Sequence, residues 1–235
     1  VFHKAMYDTA MARTDTARID SAWVYRTTGS PSGQAAYLFD YGDSTVSPDF
    51  DIKSGQIEAT LNRAFSEDSA TFIATFNNFT VNNLRLEGIA TYSNTGEISG
   101  GRIRLQLETE IDFYKNGQKL ITYTGSKTVW WAEGFDEPEI FESQRFAVSG
   151  FSNGDYSDPS NNDIPEAVIN METENELEVR FSCHKLIRSG RVLIMESLPE
   201  YEEIITGDFI DSDIDGCSDK VMLKNPENFG YPYYF

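Results

Sequence analysis

Cysteine and histidine are the scarcest reactive residues of this chain: two of each in 235 residues, Cys183 and Cys217, His3 and His184. So few cysteines exclude a disulfide-dense scaffold, and no Cys-x-x-Cys or His-x-x-x-His spacing is present for a zinc site. Positive charge is also short. There are 19 Lys+Arg against 38 Asp+Glu, a formal net charge of −19. A nucleic-acid partner or direct attraction to an anionic membrane surface needs clustered cations, so that balance argues against both. Long apolar runs are missing, and no segment approaches the ~18 residues of a membrane-spanning helix. A Gly-x-Ser-x-Gly nucleophile elbow and a glycine-rich phosphate loop are missing too. What remains is 40 % hydrophobic and 13 % aromatic, enough for a packed core.

The first 20 residues are rich in helix formers (Ala5, Met6, Ala10, Met11, Ala12, Ala17) with Lys4, Arg13 and Arg18 interleaved. They predict one helix over about residues 3–20, with residues 1–22 packed on a β domain of residues 23–235. Beyond Trp23 the period becomes two. Ile103, Leu105, Leu107, Ile111 and Phe113 alternate with Arg104, Gln106, Glu108, Glu110 and Asp112, a strand with one buried and one wet face. Asn116-Gly117 predicts a tight hairpin, Asn82-Asn83 a second, and Arg188-Ser189-Gly190-Arg191 a third. Residues 150–165 read as the longest loop, where the β domain could subdivide. The expected fold is mainly β: an antiparallel meander forming a two-sheet sandwich or a strongly curved sheet, with one N-terminal helix.

Three sets of residues carry chemistry. Asp211, Asp213, Asp215 and Asp219 surround Gly216 and could wrap oxygens around Ca²⁺, although Met222 stands where an EF-hand needs Glu and the flanks read as strands. A solvated acidic turn is the alternative. Trp130 and Trp131 are adjacent on a strand, so one faces the core and the other faces out, as a stacking platform for a ligand or as a second covered layer. Cys183 and Cys217 either form one disulfide in an oxidising compartment or are two buried thiols. Cys183 and His184 point to opposite faces of a strand and cannot pair as nucleophile and base. Nothing singles out a pair of carboxylates for catalysis, so an enzyme is not expected and no cofactor beyond the Ca²⁺ candidate is implied.

Several short segments resemble a known family. They are Phe39-Asp40-Tyr41-Gly42, Ser54-Gly55-Gln56-Ile57, Phe76-Asn77-Asn78-Phe79-Thr80-Val81-Asn82 and Leu86-Glu87-Gly88. Tyr114-Lys115-Asn116-Gly117, Thr124-Gly125-Ser126-Lys127-Thr128, Ser189-Gly190 and Asp215-Gly216-Cys217-Ser218-Asp219 follow in order. Together they are similar to the uncharacterised secreted lipoproteins of Bacteroidetes-type bacteria. That resemblance implies export, a lipid anchor upstream of Val1 as the only membrane attachment, and residence in the periplasm or on the cell surface. It implies no activity. The expected function is a non-enzymatic envelope protein that binds a ligand, a glycan or an envelope partner. A Ca²⁺-stabilised module, a carbohydrate- or lipid-binding domain and a two-carboxylate hydrolase are the alternatives.

Overall fold

The computed structural model describes residues 15–19, 21–30, 33–47, 51–65, 67–99, 102–134, 144–157, 167–180, 187–197, 202–211, 218–224 and 230–234. The first strands are β1 (Thr16–Ile19), β2 (Ala22–Gly29), β3 (Ala35–Asp40), β4 (Thr45–Val46) and β5 (Ile52–Leu61). The long central ones are β6 (Thr71–Val81), β7 (Leu84–Ser99), β8 (Arg102–Lys115), β9 (Gln118–Glu133) and β10 (Arg145–Tyr156). The last five are β11 (Ala167–Arg180), β12 (Ile187–Ser197), β13 (Glu202–Asp211), β14 (Ser218–Lys224) and β15 (Gly230–Tyr234). They form one antiparallel sheet in which each strand pairs with its neighbours in sequence, the two-residue β4 alone lying off the path beside β5. The sheet is not closed.

Two expected features give way. The strands form a single sheet, not the two of a sandwich, because every connection is a hairpin to the next strand and none crosses to a second layer. The predicted helix does not reach residues 16–19, which are β1; residues 1–14 lie outside the described residues. Ala17 pairs with Val24 and Ile19 with Ala22, all four side chains buried, while Thr16 and Arg18 face outward. The edge of β2 offers unpaired backbone N–H and C=O groups together with an apolar row at period two. That outweighs the small helix preference of alanine.

The hairpins at Asn82-Asn83 and Asn116-Gly117 form as the turn residues require, all four with φ between +50° and +82°. The third expected turn does not. Residues 188–191 lie inside β12, and β11 meets β12 across residues 181–186, which lie outside the described set. Gly190 sits where the β11–β12 register slips, so its glycine marks a bulge. Residues 150–156, expected as loop, continue β10, and residues 158–166 lie outside the described set. The sheet runs on across this segment, since β10 pairs with both β9 and β11.

Alternation along the central strands sorts every residue to one of two faces. The inner face carries Val24, Tyr37, Phe39, Ile57, Leu61, Phe72, Leu86, Leu105, Ile111, Val129, Trp131 and Phe146, which share one buried cluster. Trp131 stacks on Phe146 at 5.7 Å, and its indole N–H donates to the buried Gln144 Oε1 at 2.6 Å. Gln144 in turn donates to the carbonyl of Gly134 at 2.8 Å, so no polar atom of this corner is left unsatisfied. Arg102 on β8 reaches Glu176 on β11 at 3.5 Å, across the outer face of β9 and β10. Toward β12–β14 most side chains on both faces are only half-buried, Val192 and Val221 being exceptions.

Candidate functional site

The outer face of the central strands is a ladder of polar residues. Arg104, Gln106, Glu108, Glu110 and Asp112 on β8 lie opposite Trp130, Thr128, Ser126, Thr124 and Thr122 on β9. These are the positions that the alternation of residues 102–113 assigns to water. The ladder is tied by its own hydrogen bonds. Ser126 Oγ donates to Glu108 Oε1 at 2.8 Å, and Gln106 Nε2 donates to the same oxygen at 2.9 Å. Thr122 Oγ1 donates to Asp112 Oδ1 at 2.8 Å, and Thr128 Oγ1 donates to Gln106 Oε1 at 3.3 Å. Glu108 is thereby held in one orientation as an acceptor.

Two apolar walls rise beside this floor. On β7, Ile89 is 47 % exposed, and on β10, Phe151 is 60 % exposed. Each follows a glycine whose φ lies where side chains rarely go, +137° at Gly88 and +133° at Gly150. A Cβ on Gly88 would meet the carbonyl oxygen of Glu110 at 2.1 Å, and one on Gly150 that of Ser126 at 2.3 Å. The two flanking strands therefore press against the central hairpin where the floor residues sit, and the register of β10 on β11 slips between Val148 and Phe151. Ile89 pairs with Glu110 and Phe151 with Ser126 in unbroken register, so alternation alone sets a large apolar group on a face that is otherwise polar. Between the walls lies an open groove of about 460 Å³, lined by Ile89, Thr91, Glu108, Glu110, Thr124, Ser126 and Phe151. Three strand spacings separate the walls, about 14 Å.

Toward its two ends the ladder carries aromatic rings. Arg85 lies over the ring of Tyr114 at 4.2 Å at the hairpin end, and Trp130 stands opposite Arg104 at the other. Of the two tryptophans the sequence singled out, Trp130 is half-buried on this outer face, and Trp131 is in the core and out of a ligand's reach. The groove itself escapes a reading by residue type, since Thr, Ser and Glu at period two on a strand signal only a wet face. The local signal was a glycine before an apolar residue that falls on that wet face, Gly88-Ile89 and Gly150-Phe151. By sequence alone residues 150–151 belong to a loop.

Among the described residues that line the groove is none of the other sequence candidates. Asp211 closes β13 and Asp219 lies in β14, while Asp213 and Asp215 lie outside the described residues, as do Cys183, Cys217, His3 and His184. Among the described residues no group of three or more His, Cys, Asp or Glu is placed to hold a metal ion. Among them, too, no helix is long and apolar enough to cross a membrane. Comparison with known proteins finds no matching family model, no similar curated protein and no similar solved structure.

Proposed function

We propose that the groove over β7–β10 binds an extended glycan and that the protein is a non-catalytic binding component of a bacterial cell envelope. The observation that carries this reading is the pairing of exposed Phe151 and Ile89 with a floor of carboxylates and hydroxyls. A sugar ring presents an apolar C–H face and an edge of hydroxyls. The first suits an exposed aromatic, and the second suits oriented acceptors such as Glu108 and Thr124. An open groove admits an internal segment of a chain, whereas an enclosed lipid would need a deep apolar cavity.

Glu108 and Glu110 also invite a reading as a hydrolytic pair, being about 6.6–6.8 Å apart along one strand. Their placement favours binding over catalysis. Both rise from the same floor, whereas glycoside hydrolysis needs its carboxyl groups on opposite sides of the scissile bond. The envelope location rests on the resemblance to secreted lipoproteins, and fractionation of a native host with labelled fatty acid tests it. For the groove, the test is calorimetric titration of neutral and acidic oligosaccharides into the native chain and its Phe151→Ala and Thr124→Val variants. Loss of one stacking contact weakens binding by about 3–10-fold. Binding that ignores both substitutions refutes the groove as the site.

A further inference from the structure

The second concentration of charge on the outer face lies beyond Trp130. Three guanidinium groups converge on one carboxylate oxygen, Glu178 Oε1: Arg145 Nε at 2.8 Å, Arg180 Nε at 2.8 Å and Arg188 Nη1 at 3.1 Å. They come from three successive strands, β10, β11 and β12. Arg145 also pairs with Glu133 at 2.7 Å. The Glu178 side chain is only 18 % exposed, and those of the three arginines are 31–35 % exposed. The anion thus lies beneath and the cations above it, reachable from solvent. A guanidinium presents its donors in a rigid planar fork that matches the edge of a carboxylate.

The cluster belongs to the same surface as the groove. Ala147 pairs with Trp130 on one side and with Glu178 on the other, so the indole and Glu178 lie two strands apart in one cross-strand row. Trp130 lies four residues from Ser126 along β9, about 13 Å. That span is the length of a few sugar units.

We infer that the Arg145–Arg180–Arg188 cluster is a carboxylate subsite and that the glycan of the groove is acidic, with a uronate group seated on the guanidiniums beside Trp130. This rests on the glycan reading above and names the chemical class of its ligand. A carboxylate is planar and accepts two parallel N–H bonds, the complement of an exposed guanidinium edge. The chain's overall charge of −19 does not forbid it, because at physiological salt charges more than about 8 Å away are largely screened. The carboxylates of the groove floor lie beyond that length from the cluster.

The test titrates the full chain with an oligogalacturonate and with the same oligomer after reduction of its carboxyl groups. The acidic form is expected to bind about tenfold more tightly, a preference that raised salt diminishes. Arg180→Gln removes that preference and leaves the reduced oligomer unaffected, whereas Phe151→Ala weakens both forms alike. Arg145→Gln provides a second variant should Arg180→Gln melt, and thermal melting reports on both. If the two oligomers bind the native chain equally, or the arginine variants lower only the melting temperature, the subsite is refuted and the groove reading stands. An acidic preference that depends on Arg180 but not on Phe151 keeps the subsite and refutes the groove. Binding of neither oligomer refutes both.

Discussion

At the level of single residues, the outer face is organised by carboxylates that hold cations in place. Burial pushes the Glu178 carboxyl up, but hydrogen bonds from Arg180 and Arg188 and the charge of Arg145 more than offset it and hold it below its ordinary value. Asp208 follows the same rule. Burial raises it, and bonds from Arg191 and from Lys224 Nζ, at 2.7 Å, bring it below. A carboxyl whose pKa is lower folded than unfolded contributes stability that is fully present above the unfolded value, near 4.5 for glutamate. That contribution is lost as the pH falls through the folded value. Melting followed from neutrality into acid is therefore expected to fall below about pH 5 in the native chain and less steeply in Glu178→Gln, which starts lower. Parallel curves for the two proteins would refute the assignment.

At the level of elements, what distinguishes this sheet from a plain meander is where it departs from regularity. In β10, Gly150 and Gly154 are four residues apart and are not equivalent. Gly150 has φ +133° and no room for a Cβ, whereas a Cβ on Gly154 would find its nearest neighbour, Ile121 Cγ2, at 3.6 Å, an ordinary contact. Gly150→Ala is expected to cost about 2–4 kcal/mol in urea unfolding, from backbone strain plus the clash with the Ser126 carbonyl. Gly154→Ala is expected to be neutral or slightly stabilising, since it reduces the freedom of the unfolded chain. Because Gly150 also sets Phe151, any folded Gly150→Ala protein should lose glycan affinity as Phe151→Ala does. Equal stability of the two alanine variants would contradict the placement of the bulge.

For the molecule as a whole, a formal net charge of −19 means that like charges repel one another. The local ion pairs are mostly exposed and worth little each, so the long-range repulsion decides the response to salt. Raising the ionic strength from about 0.01 M to about 0.15 M shortens the screening length from ~30 Å to ~8 Å. The melting temperature is expected to rise over that range. A fall would mean that the local pairs outweigh the net charge. The same mutual repulsion opposes edge-to-edge association of an antiparallel sheet that has not closed on itself.

Much of the sheet was legible because its pattern is local. The alternation of residues 103–113 places Leu105 and Ile111 inside and Arg104, Gln106 and Glu108 outside, and the turn residues at 82–83 and 116–117 set the registers on either side. The same reasoning separates Trp130 from Trp131. What local pattern cannot contain is the response of a segment to its neighbours. Residues 16–19 have helix-forming alanine yet join the edge of β2, and Gly150 and Gly190, a loop and a turn by sequence, lie inside paired strands where the register slips. Whether the meander splits into two sheets or stays one continuous sheet also depends on strand pairing summed over the whole chain. The groove and the arginine cluster are products of that summation. Each gathers side chains from three or four successive strands onto a face that is otherwise mostly polar.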